Sequence, residues 1–293
     1  MNSEPADFNT RSSAPAARAS SGGSPRRAAA AAHDAFVLHT YDWSESSLIV
    51  ELFTRDAGRV VAAAKGVKRP TSQLRALLMP FQPVLVQFVR PRADDRGAEV
   101  RTLRGAEWGG GEVAVLRGSG WFAGFYLNEL LLRLLARDDP HPRLFDAYAA
   151  TLQGLGDSEM RSEAALRAFE LLLLRETGVL PEFSRTTQTQ MPVMATGRYV
   201  LRVEQGLVEA ASGEASLAGT ICLELASAMD DWAAQGFGTA ALQTLQATCA
   251  RELQTLKTLL RGQLHYHLGG AMLRTRQLAI ETQRLLDATP PPR

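Results

Sequence analysis

From Ala35 onward apolar and polar positions alternate in "AFVLHTY", "SLIVELFT" and "RVVAAAKG", the two-residue period of half-buried strands. Asp56-Ala57-Gly58 separates the second run from the third and supplies the turn, with Gly58 able to take positive φ. In "TSQLRALLMP", Thr71 to Pro80, Leu74, Leu77 and Leu78 fall at helical spacing between a Thr/Ser start and a closing proline, which predicts about two helical turns. "PVLVQFVR" from Pro83 and "EVRTLRGAEW" from Glu99 return to the strand pattern, joined by the polar loop "PRADDRGA". Five strands with one short helix between the third and fourth is the order of an OB-fold β-barrel. A small sheet of another topology fits the same periods.

After Gly109-Gly110-Gly111 the period changes to that of helices, beginning with "WFAGFYLNELLLRLLARDD", "PRLFDAYAATLQGL" and "EAALRAFELLLLRETG", the last capped by Gly178. A less regular stretch, about residues 179–216, holds a predicted hairpin in "RYVLRVEQGLVEA". Helix then resumes in "ASLAGTICLELASAMDDW", "TAALQTLQATCARELQTLKTLLRGQLHYHL" and "AMLRTRQLAIETQRLL". The fold class expected is α+β: a barrel at 33–109, then an α-helical domain at 110–286 carrying the insertion. Residues 1–32, rich in Ala, Ser, Pro and Arg, are expected to form a disordered arm, and 287–293 a disordered tail.

Composition narrows the classes. The chain has 293 residues, 45% hydrophobic and 22% charged, which suits a globular protein long enough for two cores. Cys222 and Cys249, the two cysteines, sit in helical stretches and are expected to be buried free thiols, consistent with a reducing, cytoplasmic setting. No apolar run approaches the roughly 20 residues of a membrane span. No phosphate-binding glycine loop, nucleophile elbow or dinucleotide fingerprint is present, so no enzyme is expected and no cofactor. His265 and His267 lie two apart on a helix and diverge, and the pairs Asp94-Asp95 and Asp138-Asp139 read as solvated loop charges, so no metal is expected.

The charge pattern carries the functional signal. Net charge is only +1, yet no acid occurs between Asp56 and Asp94, while Arg59, Lys65, Lys68, Arg69, Arg75, Arg90 and Arg92 all do. Two of the three lysines fall in "AKGVKRPTSQLR", between the third strand and the short helix, where side chains project at the barrel rim. A one-signed field on a barrel is a footprint for phosphates. Lys65, Lys68, Arg69 and Arg75 are the expected contacts, with Arg59 and Arg90 supporting. Tyr41, Trp43, Phe81 and Phe88 could stack bases, but most alternate as core residues do, and Phe81 is expected to be packed. A scaffold whose basic face serves a protein, or an RNA-binding module, remains an alternative.

These residues resemble the RecO family of recombination mediators. The likeness is dense in "AFVLHTYDWSESSLIVELFTRDAGRVVAAAKGVKRPTSQLRALLMPFQPVLVQF", continues through "GFYLNELLLRLLARDDPHPRLFDAY" and "ALRAFELLLLRETGVLPEF", and closes with "HLGGAMLRTRQLAIE". The resemblance implies an OB-fold followed by a helical domain, binding of single- and double-stranded DNA, and annealing of complementary strands. It further implies work with RecR and single-stranded-DNA-binding protein to load RecA, and a cytoplasmic, nucleoid-associated location. Some members carry a four-Cys zinc module after the "GVLPEF" segment; here that region has no Cys, so a degenerate, metal-free insertion is expected. Arg133, Arg261, Arg274 and Arg276 are candidates to receive the acidic, apolar-ended tail of single-stranded-DNA-binding protein, which needs an apolar pocket with a basic rim.

Overall fold

The computed structural model describes residues 31–90, 99–111, 113–155, 158–235 and 239–288. The loop "PRADDRGA", nearly all of the expected N-terminal arm and most of the tail lie outside these residues. Strands β1 (Ala32–Asp42), β2 (Leu48–Thr54), β3 (Gly58–Ala64), β4 (Pro83–Phe88) and β5 (Arg101–Trp108) close into a barrel in the order β1-β2-β3-β5-β4. β4 returns to pair antiparallel with β1, and β3 meets β5 in parallel through Ala62 and Ala63. Alternation puts Ala35, Val37, Val50, Leu52, Val60 and Ala62 inside the barrel.

The connection from β3 to β4 is shorter in helix than the leucine spacing predicts. α1 (Leu74–Leu77) is a single turn, because Leu78 leaves the helical region at ψ 43° to bury itself in the barrel core. The Gln82 side-chain amide donates to the Ala76 and Leu77 carbonyls at 2.8 and 2.9 Å, satisfying the abandoned helix end. Phe81, buried as expected, takes the left-handed conformation at φ 68°.

The helical part comprises α2 (Ser119–Leu134), α3 (Pro142–Gly154), α4 (Glu159–Glu176), α5 (Gly219–Gln235), α6 (Thr239–Arg251), α7 (Leu253–His267) and α8 (Arg274–Ala288). Ser158 caps α4, its Oγ accepting from the Arg161 amide at 3.3 Å, and Gly178 closes it at φ 73°. The run from Thr239 to Leu268, continuous in the sequence, breaks at Glu252. Unbroken, it would extend about 45 Å; the break lets α6 pack on α4 and α5 while α7 turns back onto α4 and the insertion.

The insertion forms the expected hairpin, β6 (Arg198–Arg202) with β7 (Gly206–Glu209). A third strand, β8 (Leu217–Ala218), pairs with β6 where the sequence predicts the start of a helix. Gly219 allows that strand to turn directly into α5: a Cβ there would sit 1.9 Å from the Met194 carbonyl oxygen. Cys222 and Cys249 are buried free thiols, and burial raises the Cys222 thiol to about 12.

The outer face of the barrel is packed into the core of the helical domain. Phe36, Leu38 and Phe53, on the outer face of β1 and β2, join the helical cluster, with Phe36 5.2 Å from Phe145 and 5.1 Å from Tyr148. A bulge between Val37 and His39 frees the Leu38 carbonyl. Asn128 of α2 donates to it at 2.9 Å and accepts from the Tyr148 hydroxyl at 2.5 Å.

Candidate nucleic-acid interface and helical-domain pocket

β3 delivers the chain into a turn at Lys65, where Gly66 takes φ 72°. This turn is tied to the β1–β2 loop: the Lys68 amide donates to the Ser46 carbonyl at 3.0 Å and the Gly66 amide to Ser47 Oγ at 3.3 Å. The backbone of the basic loop is therefore fixed. Lys65 and Arg69 stand exposed on it, and Arg75 is exposed on α1 immediately beyond. None of the three side chains forms an ion pair among the described residues.

Lys68 differs from them. Its Nζ lies 2.5 Å from Asp42 Oδ1 and donates to the Ser44 carbonyl at 2.9 Å, clasping the end of β1 to this loop. The acid-free stretch of sequence is thus not acid-free in space, and Lys68 is a brace with part of its charge already answered. Arg90 is exposed just beyond β4 and is not without an interaction of its own.

Arg59 is not part of this surface. It stands at the opposite end of β3 from Lys65, about 20 Å away by strand rise. Its side chain is 14% exposed, donates to Glu51 at 3.0 Å and, through Nε, donates to the Leu135 carbonyl at 3.0 Å. Glu51 is itself buried and lies 3.5 Å from Arg137. Arg59 welds the barrel to the end of α2, so the structure places this expected phosphate contact apart from the loop of Lys65, Lys68 and Arg69 and already paired.

A second feature lies between α2, α4, α7 and α8: an open pocket of about 1100 Å³. Phe122, Leu166, Leu264, Leu268 and Ile280 give it apolar walls, and Arg261 and Arg276 give it basic ones. Two of the four expected tail-binding arginines are thereby brought together. Arg133 and Arg274 are not among the lining residues; both lie at Glu129, where Arg133 pairs at 2.9 Å and the Arg274 backbone amide donates at 2.9 Å.

The pocket holds two further cations, Lys257 and Arg167, that the charge pattern along the sequence does not single out. Lys257 is paired with Glu163 at 2.5 Å. Arg167 is 8% exposed and pairs at 2.6 Å with the fully buried Glu170, which also accepts from the Tyr126 hydroxyl at 2.6 Å. Burial raises the Glu170 carboxyl above the usual range despite the lowering by Arg167 and Tyr126. Arg167 Nε, Glu170 Oε2 and the Gln263 amide nitrogen are buried without a hydrogen-bond partner among the described residues. A charged pair within "ALRAFELLLL", a helix apolar nearly all round, was the available signal.

These elements define a class: a closed five-stranded barrel whose outer face packs into the core of a helical domain, with a basic loop on the first and a basic-edged apolar pocket in the second. Residues 30–108 match the family model for the N-terminal part of recombination protein O, and residues 118–230 match that for its C-terminal part. Relatives named DNA repair protein RecO include those of Variovorax paradoxus, 48% identical, and Polaromonas sp., 47% identical; each alignment covers 86% of this chain and 96% of the relative. That of Verminephrobacter eiseniae is 48% identical over the same shares. The chain belongs to the RecO family.

Proposed function

We propose that this protein is a recombination mediator in DNA repair that binds single- and double-stranded DNA through the loop after β3 and anneals complementary strands. The observation that carries the reading is the set Lys65, Arg69 and Arg75, exposed and without an ion-pair partner among the described residues, on a loop whose backbone is fixed. Two complementary strands repel through their phosphates. Cations held on a rigid rim neutralise them, and base pairing then proceeds with no sequence readout by the protein.

The pocket fits the remaining part of the role. A peptide ending in acidic and apolar residues, such as the tail of single-stranded-DNA-binding protein, would seat its apolar end on Phe122, Leu166 and Ile280 and its carboxylates on Arg261 and Arg276. Delivery to DNA coated by that protein, and loading of RecA together with RecR, complete the proposal. No catalytic turnover is included in it.

The test is annealing of complementary oligonucleotides coated with single-stranded-DNA-binding protein. Lys65→Glu with Arg69→Glu should abolish annealing and reduce the salt slope of single-strand binding by about 1.4, the share of two phosphates. Lys68 is left intact because it braces the fold. An unchanged slope overturns the loop as the DNA contact, and failure of the unaltered protein to anneal overturns the whole reading. For the pocket, Arg276→Ala should weaken a fluorescent acidic-tail peptide about tenfold, in the range of a charge-assisted contact.

A further inference from the structure

On the outside of α2, two large aromatic side chains stand in solvent: Trp121, 45% exposed, and Phe125, 39% exposed. They are four residues apart, so they neighbour each other along one ridge. Their rings lie 6.1 Å apart, stacked with 28° between planes, so they form one aromatic unit that is part exposed. Phe81 holds them from beneath, edge-on to both at 5.5 and 4.9 Å. Phe81 can do so because Gly124 lacks a side chain; a Cβ there would fall 2.9 Å from the Phe81 ring. The strained φ of 68° at Phe81 is thereby fixed by its surroundings, and it fixes the pair in turn.

Cations flank this platform along the chain. Arg117 is exposed in the segment just before α2, and Arg133, paired with Glu129, and Arg274 lie beyond Phe125. The single carboxylate of α2, Glu129, is already engaged by Arg133, by the Arg274 and Thr275 amides and by the Thr275 hydroxyl. What the ridge offers a ligand is a rigid aromatic face between cations. The ligand with planar rings strung on anions is a nucleic-acid strand, and its bases must be unpaired to expose their faces.

We infer that the Trp121–Phe125 ridge is a stacking site for unpaired nucleobases of a single strand, with Arg117 and Arg274 contacting the flanking phosphates. The inference rests on the proposed DNA binding and extends it from the barrel loop to α2. The chain itself links the two surfaces, since α1 with Arg75 leads within four residues to Phe81. A base docks on the outer face of the rings. Sandwiching one between them would need roughly 7 Å, twice the stacking rise of a strand.

The experiment compares a fluorescein-labelled oligo-dT with an abasic deoxyribose-phosphate oligomer of equal length, by anisotropy, on the full chain. The unaltered protein should bind oligo-dT about tenfold more tightly than the abasic strand, the worth of one stacked base. Trp121→Leu with Phe125→Leu keeps an apolar cover on Phe81 and should erase that preference while leaving the salt slope unchanged. Equal binding of both oligomers by the unaltered protein overturns the stacking site and leaves the DNA-binding reading standing. Binding of neither overturns both. Should the Leu pair retain the preference, the ridge is not the base contact; if sedimentation then shows that the pair abolishes self-association, its occupant is a second copy of the chain.

Discussion

Glu51 interrupts the apolar run of β2, and its carboxylate is buried between two guanidinium groups, Arg59 at 3.0 Å and Arg137 at 3.5 Å. Removing one member of a buried pair leaves an uncompensated charge. Arg59→Ala should therefore lower the unfolding free energy by on the order of 3 kcal/mol in a urea titration. Affinity for single-stranded DNA and its salt slope should stay unchanged; a fall in the slope would restore Arg59 to the phosphate contacts. In the sequence Arg59 is indistinguishable from Lys65 or Arg69, since each is a cation in an acid-free stretch. What separates them is the position of Leu135 and Glu51 against the far end of β3, a fact of tertiary structure. Lys68 is a similar case, its partner Asp42 arriving from β1. His141 adds a pH dependence. The Glu176 carboxylate at 3.4 Å and Asp139 at 3.3 Å raise its pKa against the opposing effect of burial. The stabilisation is full below the unfolded value of about 6.5 and is lost as pH rises through the higher folded value. Between pH 6 and pH 8 the unaltered protein should lose about 2 °C more in Tm than His141→Gln. Equal losses would show that the imidazolium contributes nothing.

Among the long helices α8 is the most lightly held, for none of its described side chains is buried. Leu273, just before it, is anchored in the helical core, and Gly269 and Gly270 precede that anchor with φ of 67° and 75°. Its N-terminus is held by Glu129, which accepts from the Arg274 and Thr275 amides and the Thr275 hydroxyl at 2.7 to 2.9 Å. The carboxylate does from α2 what a capping side chain does from within a helix. Burial alone would raise the Glu129 pKa, but these hydrogen bonds and Arg133 outweigh it and hold the carboxyl below its usual value. A depressed folded pKa gives stabilisation that is present above the unfolded value of about 4.3 and is lost as pH falls through the folded one. At pH 7, Glu129→Gln should accelerate amide hydrogen exchange in 274–288 about tenfold, with α4 and α7 unaffected, as measured by mass spectrometry. Because Arg276 and Ile280 belong to the pocket, the same variant should weaken the acidic-tail peptide. Unchanged exchange in α8 would refute the latch. The helix itself was legible from its period. The latch was not, because nothing in the order of residues relates Glu129 to position 274.

For the whole molecule, the question is whether barrel and helices are two stability units or one. Strand alternation made the barrel legible, and the uninterrupted run Ala35 to Leu38 contained a sign that β1 is covered on both faces. The cover is the helical domain: Val37 points into the barrel core, while Phe36 and Leu38 belong to the helical one. The bulge that separates Val37 from His39 sends the Leu38 carbonyl toward α2, where the Asn128 amide donates to it and is itself held by the Tyr148 hydroxyl. A barrel detached from the helices would expose Phe36, Leu38 and Phe53 together with that carbonyl, so neither part has an independent native surface. Two single-tryptophan proteins, one keeping Trp108 on β5 and the other Trp232 on α5, should therefore report coincident urea midpoints. Asn128→Ala leaves the Leu38 carbonyl and the Tyr148 hydroxyl buried and unpaired, and should lower both midpoints equally, by about 2 kcal/mol. Separate midpoints, or a shift confined to Trp232, would mean that the barrel folds alone. Coincidence would mean instead that barrel and helical domain unfold as one cooperative unit, so that destabilising the barrel destabilises the pocket equally.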